Sequence, residues 1–224
     1  MARDMRPGPF EIDYESLPSQ LPVFPLTGAL LLPRCRLPLN IFEPRYLRMT
    51  EDALGGDRLI GMVQPLGGGS GERAPELFGT GCAGRITSFS ETDDGRILII
   101  LTGVCRFDLG AELEVTTPYR QVEPRWEPYR NDLLEIADGC VDRERLYASL
   151  RVYFESHDLD TDWDVLEEAT DEKLVNSLAM SCPFDPTEKQ ALLEAEGLSE
   201  RTRVMLALLE TAALHPSSGD LPFH

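Results

Sequence analysis

The sequence predicts an α+β protein: a β-rich lobe carrying one short helix, followed by a C-terminal α-helical lobe. Three observations carry that expectation. Residues 21–126 are rich in proline, glycine and short apolar runs, the punctuation of short strands. Within them, Ile86–Ser90 and Arg96–Thr102 flank Asp93-Asp-Gly95, and Asp94-Gly95 supplies the positive φ angles of a tight hairpin. Beyond Pro128 the apolar residues recur every three or four positions, the period of a helix face. The expected layout is a flexible tail over 1–17, a β lobe over 18–127, a helical lobe over 128–215 and a second tail over 216–224.

In chain order, Leu21–Phe24 is a first short strand and Leu37–Leu39 a second. Arg45–Leu54 reads as a helix, with Tyr46, Met49 and Ala53 on one face and Gly55-Gly56 behind it. Leu59–Val63 is a strand between Gly56 and Pro65, and Gly67-Gly-Gly-Ser-Gly71 opens a loop that runs to about Glu76. Ile97–Leu101 is apolar without alternation, which predicts a central strand covered on both faces. Val104–Leu109 and Tyr119–Val122 complete the expected sheet. In the second lobe Leu146, Leu150, Tyr153 and Phe154 form one face of a helix over Asp142–His157. Short helices follow over Trp163–Ala169 and Asp171–Cys182. Asp185-Pro-Thr-Glu188 combines an N-cap, proline at the first helical position and an acid at the third. Ser199 caps a last helix through Leu214, with Val204, Met205, Leu208 and Leu209 facing inward.

A chain of 224 residues with 42% hydrophobic and 27% charged residues is long enough to bury its own core. No apolar run reaches the ~18 residues of a membrane span, and Arg3 and Arg6 precede no apolar stretch of a secretory leader. A cytoplasmic location is expected. Cys35, Cys82, Cys105, Cys140 and Cys182 are widely spaced with no C-x-x-C, and the three histidines form no H-x-x-x-H, so reduced thiols and no zinc site are expected. The net charge of −18 is uneven: residues 1–130 carry −4 and residues 131–224 carry −14. Such a surface repels phosphate backbones, so no nucleic-acid partner is expected.

Searches for chemistry mostly end in architecture. Glu72 and Arg73 stand where a Walker A loop needs lysine and a hydroxyl, and Glu72 stands where a nucleophile elbow around Ser70 needs glycine. His157 ends an amphipathic helix, where it faces carbonyl dipoles. The run Asp158-x-Asp160-x-Asp162-x-Asp164 lacks the glycine and glutamate of a calcium loop, having Trp163 and Ala169 there. Cys35 lies between Arg34 and Arg36, with no histidine or second thiol nearby in sequence. Leu37-Pro-Leu-Asn-Ile-Phe-Glu-Pro-Arg-Tyr46 looks at first like a cluster of reactive side chains. Each residue has a structural job: Pro44 opens the helix, Glu43 faces its positive end, and Ile41 and Phe42 fold over its first turn. Arg45 reaches a carboxylate, and Tyr46 packs with its hydroxyl at the rim.

Leu21-Pro-Val-Phe-Pro-Leu26, the Leu37–Tyr46 segment, Gly61-Met-Val63, Gly79-Thr-Gly-Cys82 with Arg85-Ile86, and Gly103-Val-Cys-Arg-Phe107 resemble the Lon protease N-terminal domain family. Leu174-Val-Asn-Ser-Leu-Ala-Met180, Pro183-Phe184, Glu188-Lys-Gln-Ala-Leu-Leu-Glu194 and Glu200-Arg201 extend the resemblance through the helical part. Phe42, Glu43, Pro44, Arg45 and Tyr46 are its sharpest family motif. The resemblance implies a PUA-like pseudo-barrel followed by a helical bundle. In full-length Lon this is the substrate-recognition region, ahead of an ATPase module and a Ser-Lys protease module. Neither module is expected here, so the resemblance implies a non-catalytic protein without cofactors, linked to protein quality control. Its implied partners are unfolded or exposed apolar polypeptide segments, with a separate protease or chaperone behind them and no membrane. Leu66, Leu77 and Phe78 flank the mobile glycine segment of the loop Gln64–Phe78 and are the candidate peptide contacts. The competing reading is that Leu77 and Phe78 start the next strand and are buried. A small-molecule or RNA-binding PUA-like module stays open as an alternative, as does a hydrolase whose polar groups cluster only in space.

Overall fold

The structure is a computed structural model and describes residues 12–67, 75–134 and 139–214. The expected C-terminal tail and most of the glycine loop lie outside the described residues, as do residues 1–11. The chain divides into two compact units, Met1–Glu135 and Ile136–His224.

The first unit is built on strands β1 (Leu21–Pro25), β2 (Arg36–Ile41), β3 (Leu59–Val63), β4 (Thr80–Glu91), β5 (Ile97–Glu112) and β6 (Gln121–Arg125), with helix α1 (Pro44–Gly55) between β2 and β3. β1 pairs with β3 in parallel. β3–β4, β4–β5, β5–β6 and β6–β1 are antiparallel, so five strands close into a ring. Closure removes the exposed edges from that part of the sheet. β2 stands outside the ring, against the first half of β5, with Leu37 opposite Leu101 and Ile41 opposite Ile97.

Phe107 fills the ring, packed with Leu21, Val23, Val63, Val122 and Trp126. Its position depends on two glycines. A Cβ on Gly61 would sit 2.7 Å from Phe107 Cζ, and one on Gly81 would sit 2.9 Å from the same atom and 2.6 Å from Val63 Cγ1. Real side-chain atoms do not approach so closely, so the aromatic ring and the glycine pair are one packing decision. α1 places Tyr46, Met49 and Ala53 in the core as its spacing predicts. Tyr46 lies against Phe24 with ring centroids 4.2 Å apart.

Four expectations change. Residues from Ile12 onward are not a tail: Tyr14–Ser16 forms a 3-10 turn, and Ile12, Tyr14 and Leu17 pack on the barrel core. Val104–Leu109 is not a separate strand but the continuation of β5, which bends from one sheet region into the next without a break. Ile97–Leu101 lies between two strands as expected, yet it is not covered on both faces. Ile97, Ile99 and Leu101 are buried while Leu98 is 45% exposed, because β2, β4 and β5 present one face to solvent there. Phe42 does not fold over the first turn of α1; it is 61% exposed, under the guanidinium of Arg96 at 5.8 Å.

The second unit contains α2 (Arg143–Ser156), α3 (Trp163–Glu168), α4 (Asp171–Ser181), α5 (Pro186–Glu194) and α6 (Leu198–Leu214). Its starts follow local chemistry. Asp142 accepts from the Arg145 N–H at 3.1 Å, and Glu188 accepts from the Asp185 N–H at 2.8 Å, the back-bond of a capping box. Leu146, Leu150 and Tyr153 form the buried face of α2. The last helix begins at Leu198, one residue before the expected cap. From it, buried Arg201 donates to Leu192 O and Asn176 Oδ1, both at 2.9 Å, tying α6 to α5 and α4.

Gly81→Ala is expected to lower stability by about 1–3 kcal/mol in chemical denaturation, since Phe107 and Val63 must move to admit one methyl group. Tyr46→Ala should cost about 3 kcal/mol and Phe42→Ala less than about 0.5 kcal/mol in the same measurement. Equal losses would contradict the exposed position of Phe42.

Candidate functional site

The loop Gln64–Phe78 rises from a narrow stem. Leu66 N–H donates to Glu76 O at 2.7 Å and Phe78 N–H donates to Gln64 O at 2.9 Å, around a single bridge between Pro65 and Leu77. Arg120 fastens the returning arm, donating to Pro75 O at 2.7 Å while its fork grips Glu112 at 2.6 and 2.8 Å. Gln64 is buried and accepts from the Gly28 N–H at 3.1 Å. The three candidate contacts therefore differ. Leu66 is 45% exposed at the top of the stem, Leu77 is half-buried with its side chain on the barrel core, and Phe78 is half-buried. Leu77 and Phe78 precede β4, which begins at Thr80.

At the Phe42–Tyr46 corner, Glu43 is the N-cap residue of α1 but makes no capping bond with its side chain. Its carboxylate instead meets Arg45, at 3.0 Å from Nε and 2.9 Å from Nη2, and the Arg45 guanidinium lies 4.5 Å over the Tyr46 ring. Pro44 is the first helical residue. These contacts fix the entry to the helix, and Arg45 engages the Glu43 carboxylate.

The buried charges are also structural. Arg106 donates from Nε to Asp132 Oδ2 and from Nη2 to Oδ1, both at 2.8 Å, while the Arg106 N–H adds a bond of 3.0 Å to Oδ2. Arg34 donates to the Asp132 carbonyl, and the Arg106 guanidinium lies 4.7 Å over Tyr129. Sequence reading missed this fork because 26 residues separate its partners. In the second unit Asp171 accepts from the backbone N–H groups of Gly139, Cys140 and Val141 and from Arg143 Nε at 2.7 Å. Burial alone would raise the pKa of Asp171; the Arg143 and backbone donors outweigh it and hold the carboxyl below its usual range.

His157 stacks on Tyr153 at 4.1 Å, with Nδ1 2.9 Å from both Tyr153 O and Ser156 Oγ. That is a helix-end arrangement, and among the described residues no carboxylate bonds to the ring. Asp162 caps α3 by accepting from Asp164 and Val165, and among the described residues no group of His, Cys, Asp or Glu is arranged to hold a metal ion. Burial raises the thiol pKa of Cys82 well above normal and pushes Cys105 and Cys182 up to about 12, so these thiols stay protonated. A groove of about 460 Å³ runs beside Tyr14, Leu17, Pro18, Glu123 and Trp126. Among the described residues no helix is long and apolar enough to cross a membrane.

A closed five-strand ring with α1 at its side and a separate helical unit is thus the frame, and comparison with known proteins places it. The family model described as the ATP-dependent protease La (LON) substrate-binding domain matches residues 20–211. The chain belongs to the LON substrate-binding domain family. Similar proteins include the Lon protease of Flavobacterium johnsoniae, 24% identical over 199 residues that are 85% of this chain and 24% of that protein. Lon protease 2 of Thermus thermophilus is 26% identical over 205 residues, 87% of this chain and 24% of its own length. The chain thus spans about a quarter of these relatives. Among solved structures, the Lon N-terminal domain protein from Xanthomonas campestris superposes with a TM-score of 0.60 at 22% identity, covering 84% of this chain and 97% of that one. The N-terminal domain of Mycobacterium avium complex Lon protease does so with a TM-score of 0.58 at 15% identity, covering 85% and 98%. These structural likenesses bear on the LON fold. The matched model is that of the substrate-binding domain.

The lowered pKa of Asp171 has a signed consequence for this LON domain. Its contribution to stability is complete above the ordinary carboxylate pKa, about 3.9, and is lost as pH falls through the lower folded value. Asp171→Asn should therefore destabilise the helical unit at neutral pH and flatten the acid limb of its stability curve in denaturant melts followed from pH 7 to pH 2. An unchanged acid limb would show that the carboxylate is not linked to folding.

Proposed function

We propose that the β unit recognises unfolded or exposed apolar polypeptide segments and that the chain acts by holding them, not by cleaving them. The observation that carries this reading is the match of residues 20–211 to a substrate-binding domain family. Arg45, Arg106, Arg120 and Arg143 and the carboxylates they grip are engaged in structural bonds, which supports binding without catalysis. The loop Gln64–Phe78 is proposed as one contact surface, with Leu66 at its exposed top and Leu77 and Phe78 behind it. An adaptor role follows from the same reading: a held segment is passed to a separate protease or chaperone in the cytoplasm.

Reduced, carbamidomethylated α-lactalbumin offers a permanently unfolded probe. Leu66→Ser should weaken its binding about fivefold, the effect of about 1 kcal/mol from a half-exposed leucine that becomes covered. Unchanged affinity would remove the loop from the contact surface. Casein incubated with the purified chain should remain intact, and cleavage that survives stringent purification would overturn the binding-only reading.

A further inference from the structure

The closed ring leaves a stretch of β4 outside it, paired with β5 on one side and, among the described residues, with no strand on the other. The hairpin bond from Thr92 N–H to Arg96 O, at 3.0 Å, fixes which residues exchange bonds with β5. Ser90 with Leu98 and Ser88 with Ile100 are in the same register, so they are the bonded pairs. Phe89 and Glu91, between and beyond them, must direct their N–H and C=O groups away from β5. The bond from Gly103 N–H to Cys35 O, at 2.8 Å, gives the same alternation on the β2 side. β3 accompanies β4 only along Cys82–Arg85, and Ile86 N–H is taken by Arg58 O at 2.8 Å. Among the described residues nothing pairs with the Phe89 N–H, the Phe89 C=O or the Glu91 N–H; the Glu91 C=O is approached only by Ser90 Oγ, at 3.5 Å.

The other free edge is guarded. The same alternation turns Arg36, Pro38 and Asn40 outward on β2, and Pro38 has no N–H to offer a docking strand. β4 has no such guard. Its outward residues also carry matched side chains: Phe89 is 52% exposed, and Glu91, two residues on and therefore on the same face, is exposed with no ion-pair partner among the described residues.

We infer that the Phe89–Glu91 edge of β4 accepts a polypeptide segment in extended conformation, added as a strand, with an apolar side chain on Phe89 and a basic one on Glu91. Backbone bonds supply attraction that does not depend on sequence, while the two side chains favour an apolar residue and a cation spaced two apart. The inference rests on the polypeptide-recognition reading but not on the Gln64–Phe78 loop.

The test uses the full chain and a fluorescent peptide repeating valine, serine, lysine and serine. Two N-methylated versions accompany it, one methylated at the valine and lysine amides and one at the serine amides. A docked strand turns alternate amides toward β4, so one version should lose at least about tenfold in affinity and the other should bind like the parent. Phe89→Pro, which removes an outward N–H and no ladder bond, should weaken binding at least tenfold with an unchanged melting temperature. Glu91→Lys covers the case in which the proline variant does not fold: it should reverse the preference toward a peptide with glutamate in place of lysine. Equal binding of both methylated peptides, or no change of preference in Glu91→Lys, overturns strand addition. If α-lactalbumin still binds when the peptides do not, strand addition alone falls; if neither binds, the polypeptide reading falls with it.

Discussion

The ring of Phe107 is the object around which the β unit closes. The ring finds room because β3 and β4 supply glycine at positions 61 and 81, where a Cβ would strike it. Trp126 completes the filling, with its ring centroid 5.5 Å from that of Phe107 and its indole N–H bonded to Pro18 O at 2.9 Å. That last bond explains why residues before β1 are ordered against the barrel. They cap an end that would otherwise expose the tryptophan.

Next to Phe107 in sequence, Arg106 points the other way and takes Asp132 in a two-pronged grip. Adjacent residues of one strand thus perform opposite tasks, one filling the barrel and one anchoring the chain after β6. Removing either partner of a buried pair leaves an uncompensated charge, which costs about 3–5 kcal/mol. The arrangement commits residues 127–133 to a single path over the strands. Tyr129 shares that path, donating to Asp108 Oδ1 at 3.0 Å and lying 3.2 Å from Thr80 Oγ1.

Features encoded within a few residues were legible in the sequence. The Asp93-Asp-Gly95 turn announced its hairpin, although Gly95 and not Asp94 takes a positive φ, Asp185-Pro-Thr-Glu188 announced a capped helix, and the Tyr46, Met49 and Ala53 spacing announced the buried face of α1. What failed depended on partners far along the chain. Val104–Leu109 looked like a separate strand because nothing local shows that β5 continues through Gly103. Ile97–Leu101 looked doubly covered because its exposed face is apolar too. Phe42 looked like a staple because the neighbouring helix start invites one, whereas Arg96 across the sheet draws it outward. The same limit hid the β4 edge, whose availability follows from β3 beginning only at Leu59, opposite Arg85. Leu66 is a candidate because of its setting beside glycines, but the stem that separates it from Leu77 required the fold.

The buried thiols turn the native state into its own redox shield. Cys82, Cys105 and Cys182 are enclosed and protonated when the chain is folded, and on unfolding each would regain an ordinary thiol pKa and full access to oxidants. Oxidation at these positions is therefore a record of past unfolding, written in both units because Cys182 lies in the second while the other two lie in the first. The folded chain would in this way carry a chemical mark of its own excursions out of the folded state.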